Sequence, residues 1–371
     1  MPDHATAEGT AAYRRRFEHA LAHGHFRSAS GWQLSSIGLG TNLGEVDSRT
    51  DASYRDAICA ALQLGCNVFD SAINYRFQRS ERAVGEALAA AFSAGTARRE
   101  EVVISTKGGY LPFDGSAPRD PSQWFYDVLV STGITTFDDV VAGCHCMTPR
   151  YIQHQLAASL RNLRLHCVDI YYIHNPETQL SEIRRTQFLR QLRATFAQLE
   201  EAVAAGQVRV YGVATWSGFR QPEGARDYLS LPEMVHLAEE VAGTEHHFRI
   251  VQTPFNLAMP EVLTRRNQRL EGEEVSLLSA AVSLGITVVA SASLLQGQLS
   301  RKLSPGLAQV FSGLETDAQR AIQLVRSTPG LTTALVGMKQ ICHVEENLAV
   351  GRVPPALPSQ FMKLFDDQTT N

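Results

Sequence analysis

One unit recurs along this chain of 371 residues: a stretch with helical spacing, a glycine, then a short β-branched run. ALQLGCNVFD, AVAAGQVRVYGV and AVSLGITVVA are three instances, and Gly65, Gly206 and Gly285 read as the left-handed residues that end a helix and feed a strand. The helices ahead of them put apolar residues on one face: Tyr54, Ile58, Ala61 and Leu62 in one, Leu192, Phe196, Leu199 and Val203 in another. Such an alternation demands an α/β fold whose parallel strands are covered by helices.

Short strand candidates fall at 35–41, 67–72, 102–108, 168–175, 208–215, 250–256, 287–293 and 332–338. Eight such units predict a closed (β/α)8 TIM barrel. The rival is a doubly wound sheet, because Gly38, Gly40 and Gly44 follow the first strand as GxGxxxG. In a dinucleotide-binding sheet those glycines open a helix at once, whereas here the polar loop TNLGEVDSRTD precedes a helix beginning near Asp51. Residues 1–34 read as an N-terminal extension and barrel-bottom cap, with a helix around Tyr13 to Leu21. Residues 35–353 read as the barrel and 354–371 as a C-terminal tail. The stretch 108–147 is too long for an ordinary connection after the third strand, so it is expected to be an insertion over the active face. Its end is marked by Thr148 and Pro149, which suit the N-cap and first turn of a helix.

A formal net charge of −4 provides no basic field for nucleic acid or an anionic membrane. No run of about 18 apolar residues and no apolar leader is present, which predicts a soluble cytoplasmic protein. The six cysteines are sparse and predict reduced thiols. Cys144, His145 and Cys146 form a CHC cluster, but zinc sites pair two such clusters and no second one appears, so no metal is expected.

Asp70, Tyr75, Lys107 and His174 lie at or just beyond the C-terminal ends of three successive strand candidates, and barrels gather catalytic side chains from strand ends onto one face. A phenol with a pKa of about 10 is a poor acid toward a neutral carbonyl. An ammonium beside it stabilises the phenolate and is expected to pull that pKa down, and an aspartate fixes the ammonium; Lys107 and Asp70 suit these roles toward Tyr75. An imidazole donor such as His174 can orient a carbonyl oxygen. Each residue alone has a bland structural reading; the joint placement favours a proton-donating site.

At these residues the chain resembles the aldo-keto reductase superfamily. The matches are GLGT at 38–41, FDSAINY at 69–75, STKGG at 105–109, DIYYIHNPE at 169–177 and VGMKQICHVEENL at 336–348, in order along nearly the full barrel. The resemblance implies carbonyl reduction with a nicotinamide cofactor, Tyr75 as general acid, Lys107 and Asp70 tuning it, and His174 orienting the substrate. It implies a cofactor site built from Gly40, Thr41, Asn42, Asp70, Thr215, Gln252, Ser291, Leu294, Gln296, Gly297, Gly337, Lys339, His343, Glu346 and Asn347. NADP is preferred on Lys339, with NAD possible because His343 stands where many NADP-preferring relatives have an arginine. The family often carries a Ser-Asn pair after strand five and an aromatic on strand seven; here Ala214 with Thr215, and Ser291, occupy those places. Trp216 could replace the lost stacking surface or pack in the core.

These features favour an NAD(P)H-dependent oxidoreductase acting on a small-molecule aldehyde or ketone, or on the alcohol in reverse. A cofactor-holding redox sensor or auxiliary subunit with little turnover is the alternative, and a metal-dependent hydrolase lacks a ligand set. Substrate identity and oligomeric state are not legible. Tyr110, Trp124, Phe125 and Tyr126 suit either a pocket for a bulky carbonyl or the insert's own core.

Overall fold

The computed structural model describes residues 2–359 and 361, so the residues of the tail expected at 354–371 that fall at 360 and 362–371 lie outside the described residues. Eight parallel strands close a barrel: β3 (Ile37–Gly40), β4 (Val68–Asp70), β5 (Val103–Gly108), β6 (Val168–His174), β7 (Val208–Ala214), β8 (Phe248–Pro254), β11 (Thr287–Ser291) and β12 (Leu331–Gly337), with β12 returning to pair with β3. Each coincides with one of the eight candidates. The polar loop after β3 does separate it from its helix, Ser48–Gln63, whose N-cap Asp47 accepts from Thr50 N at 2.7 Å. The doubly wound alternative is thereby excluded.

Period-two alternation sorts each strand's side chains between two environments. Phe69, Ile104, Tyr171, Ile173, Tyr211, Val213, Val251 and Val336 pack outward against the helices. Val68, Val103, Ile170, Val210, Ile250, Val289 and Leu335 point inward and form one apolar layer. Gly212 lies between two inward positions of β7; a Cβ there would meet the Ile250 carbonyl oxygen at 1.6 Å. Gly65, Gly206 and Gly285, the three helix terminators, have φ of +87°, +71° and +66°.

The inner layer is sealed from below by an antiparallel hairpin, β1 (Phe26–Ala29) and β2 (Trp32–Ser35), whose Trp32 and Leu34 join it. Ahead of the hairpin the helix runs Ala7–Arg15 and not Tyr13 to Leu21, because Thr6 caps it through Gly9 N and the chain turns after Arg16. Trp32 Nε1 donates to Ala5 O at 3.1 Å, tying this segment to the plug. Two cations fasten the seam between the first and last barrel units. Arg27 donates to Leu331 O at 2.6 Å and also to the Arg326 carbonyl; fully buried Arg326 donates to Ser36 Oγ, Val350 O and Val353 O at 3.0, 2.8 and 2.8 Å. A second hairpin outside the barrel, β9 (Arg266–Leu270) with β10 (Glu273–Ser276), went unrecognised because its short strands are dominated by charged and amide residues.

The insert leaves the upper end of β5 and returns to the helix Pro149–Leu163, with Thr148 at the N-cap position and Pro149 at N1 as expected, although the Thr148 side chain makes no capping bond. It holds a small core of Phe125, Leu129 and Cys146 against Tyr151, with Trp124 packed on it. Tyr126 is exposed. All six cysteines are free thiols. No helix among the described residues is long and apolar enough to cross a membrane.

Candidate active site

Two residues above the apolar layer, the inward positions turn polar. Val68 is followed by Asp70, Val103 by Ser105 and Lys107, Ile170 by Tyr172 and His174, Ile250 by Gln252, and Val289 by Ser291. The register brings them together: Asp70 faces Gly40 and Ser105, Lys107 faces Tyr172, His174 faces Ala214, and Ala214 faces Gln252.

Lys107 is completely buried, with Nζ 2.5 Å from Asp70 Oδ2 and 2.8 Å from Ser71 O. The other carboxylate oxygen accepts from Ser105 Oγ at 2.7 Å and from Gln252 Nε2 at 2.9 Å. Burial works against the ammonium, but the Asp70 carboxylate, with help from Tyr75, outweighs it and holds Lys107 above its ordinary value. Nζ lies 5.0 Å from the centre of the Tyr75 ring.

Tyr75 departs from expectation in one respect. Burial raises its pKa by more than Lys107 lowers it, with Asp70 adding to the rise, so the net shift is upward. The phenol therefore keeps its proton at neutral pH. Its position depends on an unusual turn: Arg76, Phe77 and Gln78 follow in succession at φ of +49°, +55° and +70°, a left-handed run of non-glycine residues. Arg76 anchors the turn, donating to Glu45 O at 2.7 Å and pairing with Asp51 at 2.6 Å, and Arg79 pairs with the same carboxylate. Sequence reasoning missed this support, since nothing in YRFQR signals positive φ.

The His174 ring meets the Tyr75 ring edge-on at 5.8 Å and the Tyr110 ring edge-on at 5.1 Å. Burial, helped by the charge of Lys107, pushes its pKa well below the imidazole range, so it is neutral at pH 7. Nδ1 is buried without a partner, which leaves Nε2 as the nitrogen that addresses the cavity.

Above these groups opens a cavity of about 730 Å³, within the usual range for a small-molecule or cofactor site. Asp70, Tyr75 and His174 are on its wall; Lys107 lies beneath, out of contact with it. The structure brings every residue of the expected cofactor set to this one cavity: Gly40, Thr41, Asn42, Asp70, Thr215, Gln252, Ser291, Leu294, Gln296, Gly297, Gly337, Lys339, His343, Glu346 and Asn347. Some serve a second purpose. The Gln252 amide is already spent on Asp70, and Thr215 Oγ1 accepts from Gly218 N at 2.9 Å. Sequence reasoning missed Asn74 and Ser293, cavity residues that carry buried polar atoms without protein partners, as Asn347 does. Trp216, for which core packing was one reading, is 46% exposed and on the cavity wall; its N–H and that of Ser217 donate to buried Glu177 at 2.8 and 3.0 Å. Of the four insert aromatics only Tyr110 reaches the cavity.

The residues present fit a nicotinamide dinucleotide. At one end Lys339 precedes the helix Ile341–Leu348, whose N-cap Gln340 makes no side-chain cap and whose first turn has no acid, leaving N–H groups and a cation for a phosphate. At the other lie Asp70, Tyr75 and His174. Among the described residues no group of three or more His, Cys, Asp or Glu side chains is placed to hold a metal.

A barrel closed by eight parallel strands, with a buried cluster of titratable side chains at its upper mouth under a cavity of cofactor size, is the architecture of a (β/α)8 oxidoreductase. The comparisons give the family: a model of the aldo/keto reductase family matches residues 36–368, and the chain belongs to that family. The 6-dehydroglucose reductase of Novosphingobium aromaticivorans is 25% identical over 333 residues, covering 85% of this chain and 86% of that protein. An NADP-dependent D-sorbitol-6-phosphate dehydrogenase of Malus domestica is 28% identical, over about half of each chain. Among solved structures, a glycerol dehydrogenase of Gluconobacter oxydans superposes with a TM-score of 0.65 at 20% identity, covering 93% of this chain and 95% of its own. At that identity the likeness speaks for the fold.

Proposed function

We propose that the chain is an NADPH-dependent carbonyl reductase in which Tyr75 is the general acid. The observation that carries this reading is the buried Lys107–Asp70 pair beneath a protonated Tyr75 and beside a neutral His174, at one end of a dinucleotide-sized cleft.

A reduced nicotinamide, when bound, supplies the hydride. As the carbonyl carbon gains it, the oxygen gains the Tyr75 proton, and the phenolate left behind is stabilised by the adjacent ammonium of Lys107. Asp70, accepting from Lys107, Ser105 and Gln252, keeps that ammonium in place. Neutral His174 donates from Nε2 to the same oxygen and fixes which way the carbonyl points. Solvent reprotonates Tyr75, and the reverse sequence oxidises an alcohol.

Lys339 supports NADP over NAD, because a cation at an uncapped helix start suits a further phosphate, while His343, in place of an arginine, leaves NAD possible. The division into a cap at 1–34, a barrel at 35–353 and a tail is part of the same proposal, as is a place for the insert 108–147 over the mouth.

The test is a fluorescence titration with NADPH and NADH, followed by a spectrophotometric screen of aldehydes and ketones. Tighter binding of NADPH with oxidation dependent on an added carbonyl is the expected result. Tight binding with no turnover on any carbonyl favours the sensor reading. Binding of neither dinucleotide overturns both.

A further inference from the structure

The insert carries a histidine that the reaction above does not use. His145 is fully buried and held at both ring nitrogens: Nε2 donates to the main-chain carbonyl of His174 at 2.7 Å, and Nδ1 accepts from Gln179 Nε2 at 2.8 Å. A carbonyl only accepts, so the ring proton sits on Nε2. The same Gln179 amide nitrogen donates to the His145 carbonyl at 3.0 Å, which fixes the orientation of the amide. Burial pushes the imidazole down to about 4, so this single-proton form persists at neutral pH.

The backbone around His145 is equally determined. Tyr110 and His145 form an antiparallel bridge, with Cys146 N donating to Gly109 O at 2.9 Å and Leu111 N to Cys144 O at 2.8 Å. The Tyr110 ring stands edge-on to both histidines, 5.1 Å from each. On the far side of the His174 peptide, Asn175 N donates to Ala214 O at 2.6 Å. His174 is thus clamped through its main chain and its aromatic neighbours, while its own Nδ1 has no partner. Histidines in active sites are ordinarily aimed by a bond to the second ring nitrogen. Here that bond is missing.

We propose that His145, acting through the His174 carbonyl and the Tyr110 ring, is a positioning residue that aims His174 Nε2 at the reacting oxygen. The CHC turn of the insert is therefore part of the frame of the active site and not a metal cluster. The kinetic readout rests on the carbonyl-reductase reading; the spectroscopic one does not.

His145→Leu keeps bulk and removes the donor, whereas His145→Gln retains an N–H near the position of Nε2. With NADPH affinity unchanged, the Leu variant is expected to lose about 10- to 100-fold in kcat, the order of loss that sub-ångström to ångström misplacement causes, and the Gln variant to stay within about threefold. In a His174→Ala background the Leu substitution should cost less than about twofold more, since the group it positions is gone. An undiminished loss in that background overturns the proposal. So does a fall in NADPH affinity that matches the fall in kcat. The His174 ring signals in a 15N NMR spectrum are the second readout: His145→Leu should shift them and His145→Gln should not. If they do not move in the Leu variant, the proposal fails, whether or not the wild type reduces any carbonyl; if they move while no carbonyl is reduced, the proposal stands and only the proposed reaction has failed. Should His145→Leu not fold, Gln179→Met, which removes the Nδ1 donor, carries the same readouts.

Discussion

The two ends of the barrel are built from inward-facing positions of the same strands, two to four residues apart, and they solve opposite problems. At the lower end Val68, Val103, Ile170, Val210, Ile250, Val289 and Leu335 close over Trp32 and Leu34 in one apolar layer. At the upper end the inward residues are Asp70, Ser105, Lys107, His174 and Gln252, the backbone runs left-handed at Arg76–Gln78 and again at Ala292, Leu295 and Gln296, and cavity-lining polar atoms lack partners. Apolar burial beneath supplies free energy that strain and desolvated charge above consume. The division teaches that substitutions at one end should be read out as stability and at the other as turnover.

The sharpest test of that division is Tyr75→Phe, expected to lower turnover by roughly a hundred- to ten-thousand-fold while NADPH affinity and the urea midpoint stay put. Near-normal turnover would remove Tyr75 from the reaction. Its lower-end counterpart is Trp32→Ala, which should cost about 3–5 kcal/mol in urea unfolding, with unchanged turnover per folded molecule. A matching loss of turnover would mean the two ends are coupled.

Acid should reach both ends through buried imidazoles, His25 below and both His145 and His174 above. Burial lowers His25 below and His145 above to about 4, against 6.5 for an unfolded chain. On acidification the unfolded state takes up the protons first, so stability is full above about 6.5 and is lost as pH falls toward 4, by up to about 3 kcal/mol for each ring. Urea midpoints at pH 7, 5.5 and 4.5 give the slope, and His25→Gln should make it shallower. An unchanged slope would remove His25 as its source.

His343→Arg should shift preference toward NADP over NAD by about tenfold through a forked contact to phosphate, measured by parallel titrations. An unaltered ratio would mean that this helix does not face the phosphate. The smallest effect belongs to Ala292, at φ +54° on the cavity wall. Ala292→Gly should be neutral or stabilising by no more than about 1 kcal/mol, because glycine relieves the left-handed strain while loosening the unfolded chain. A clear destabilisation by calorimetry would show that its methyl group is needed for packing.

What the sequence disclosed follows the same line. Strands covered on both faces write themselves as short β-branched runs, so all eight were legible, and so were the residues at their upper ends. The catalytic candidates were legible from their place at the strand ends, and the cofactor set, through the final helix start, from the resemblance to the aldo-keto reductases. What stayed hidden depended on partners distant in the chain: the turn after Tyr75 is held by Asp51, the Trp216 loop by Glu177, and the His174 peptide by His145. The upward shift of Tyr75 was equally invisible, because a motif names the ammonium beside a phenol but not how completely both are buried.

The cationic fastening at the seam sets an order of events during synthesis. Arg27 and Ser36 leave the ribosome early, yet the carbonyls and the guanidinium they meet belong to residues 326–353. Until that last stretch has emerged, the cylinder is an open arc whose first strand, β3, has a bare edge toward the missing β12. The edge of the first barrel strand to be made is thus the one that stays open to wrong pairing for longest.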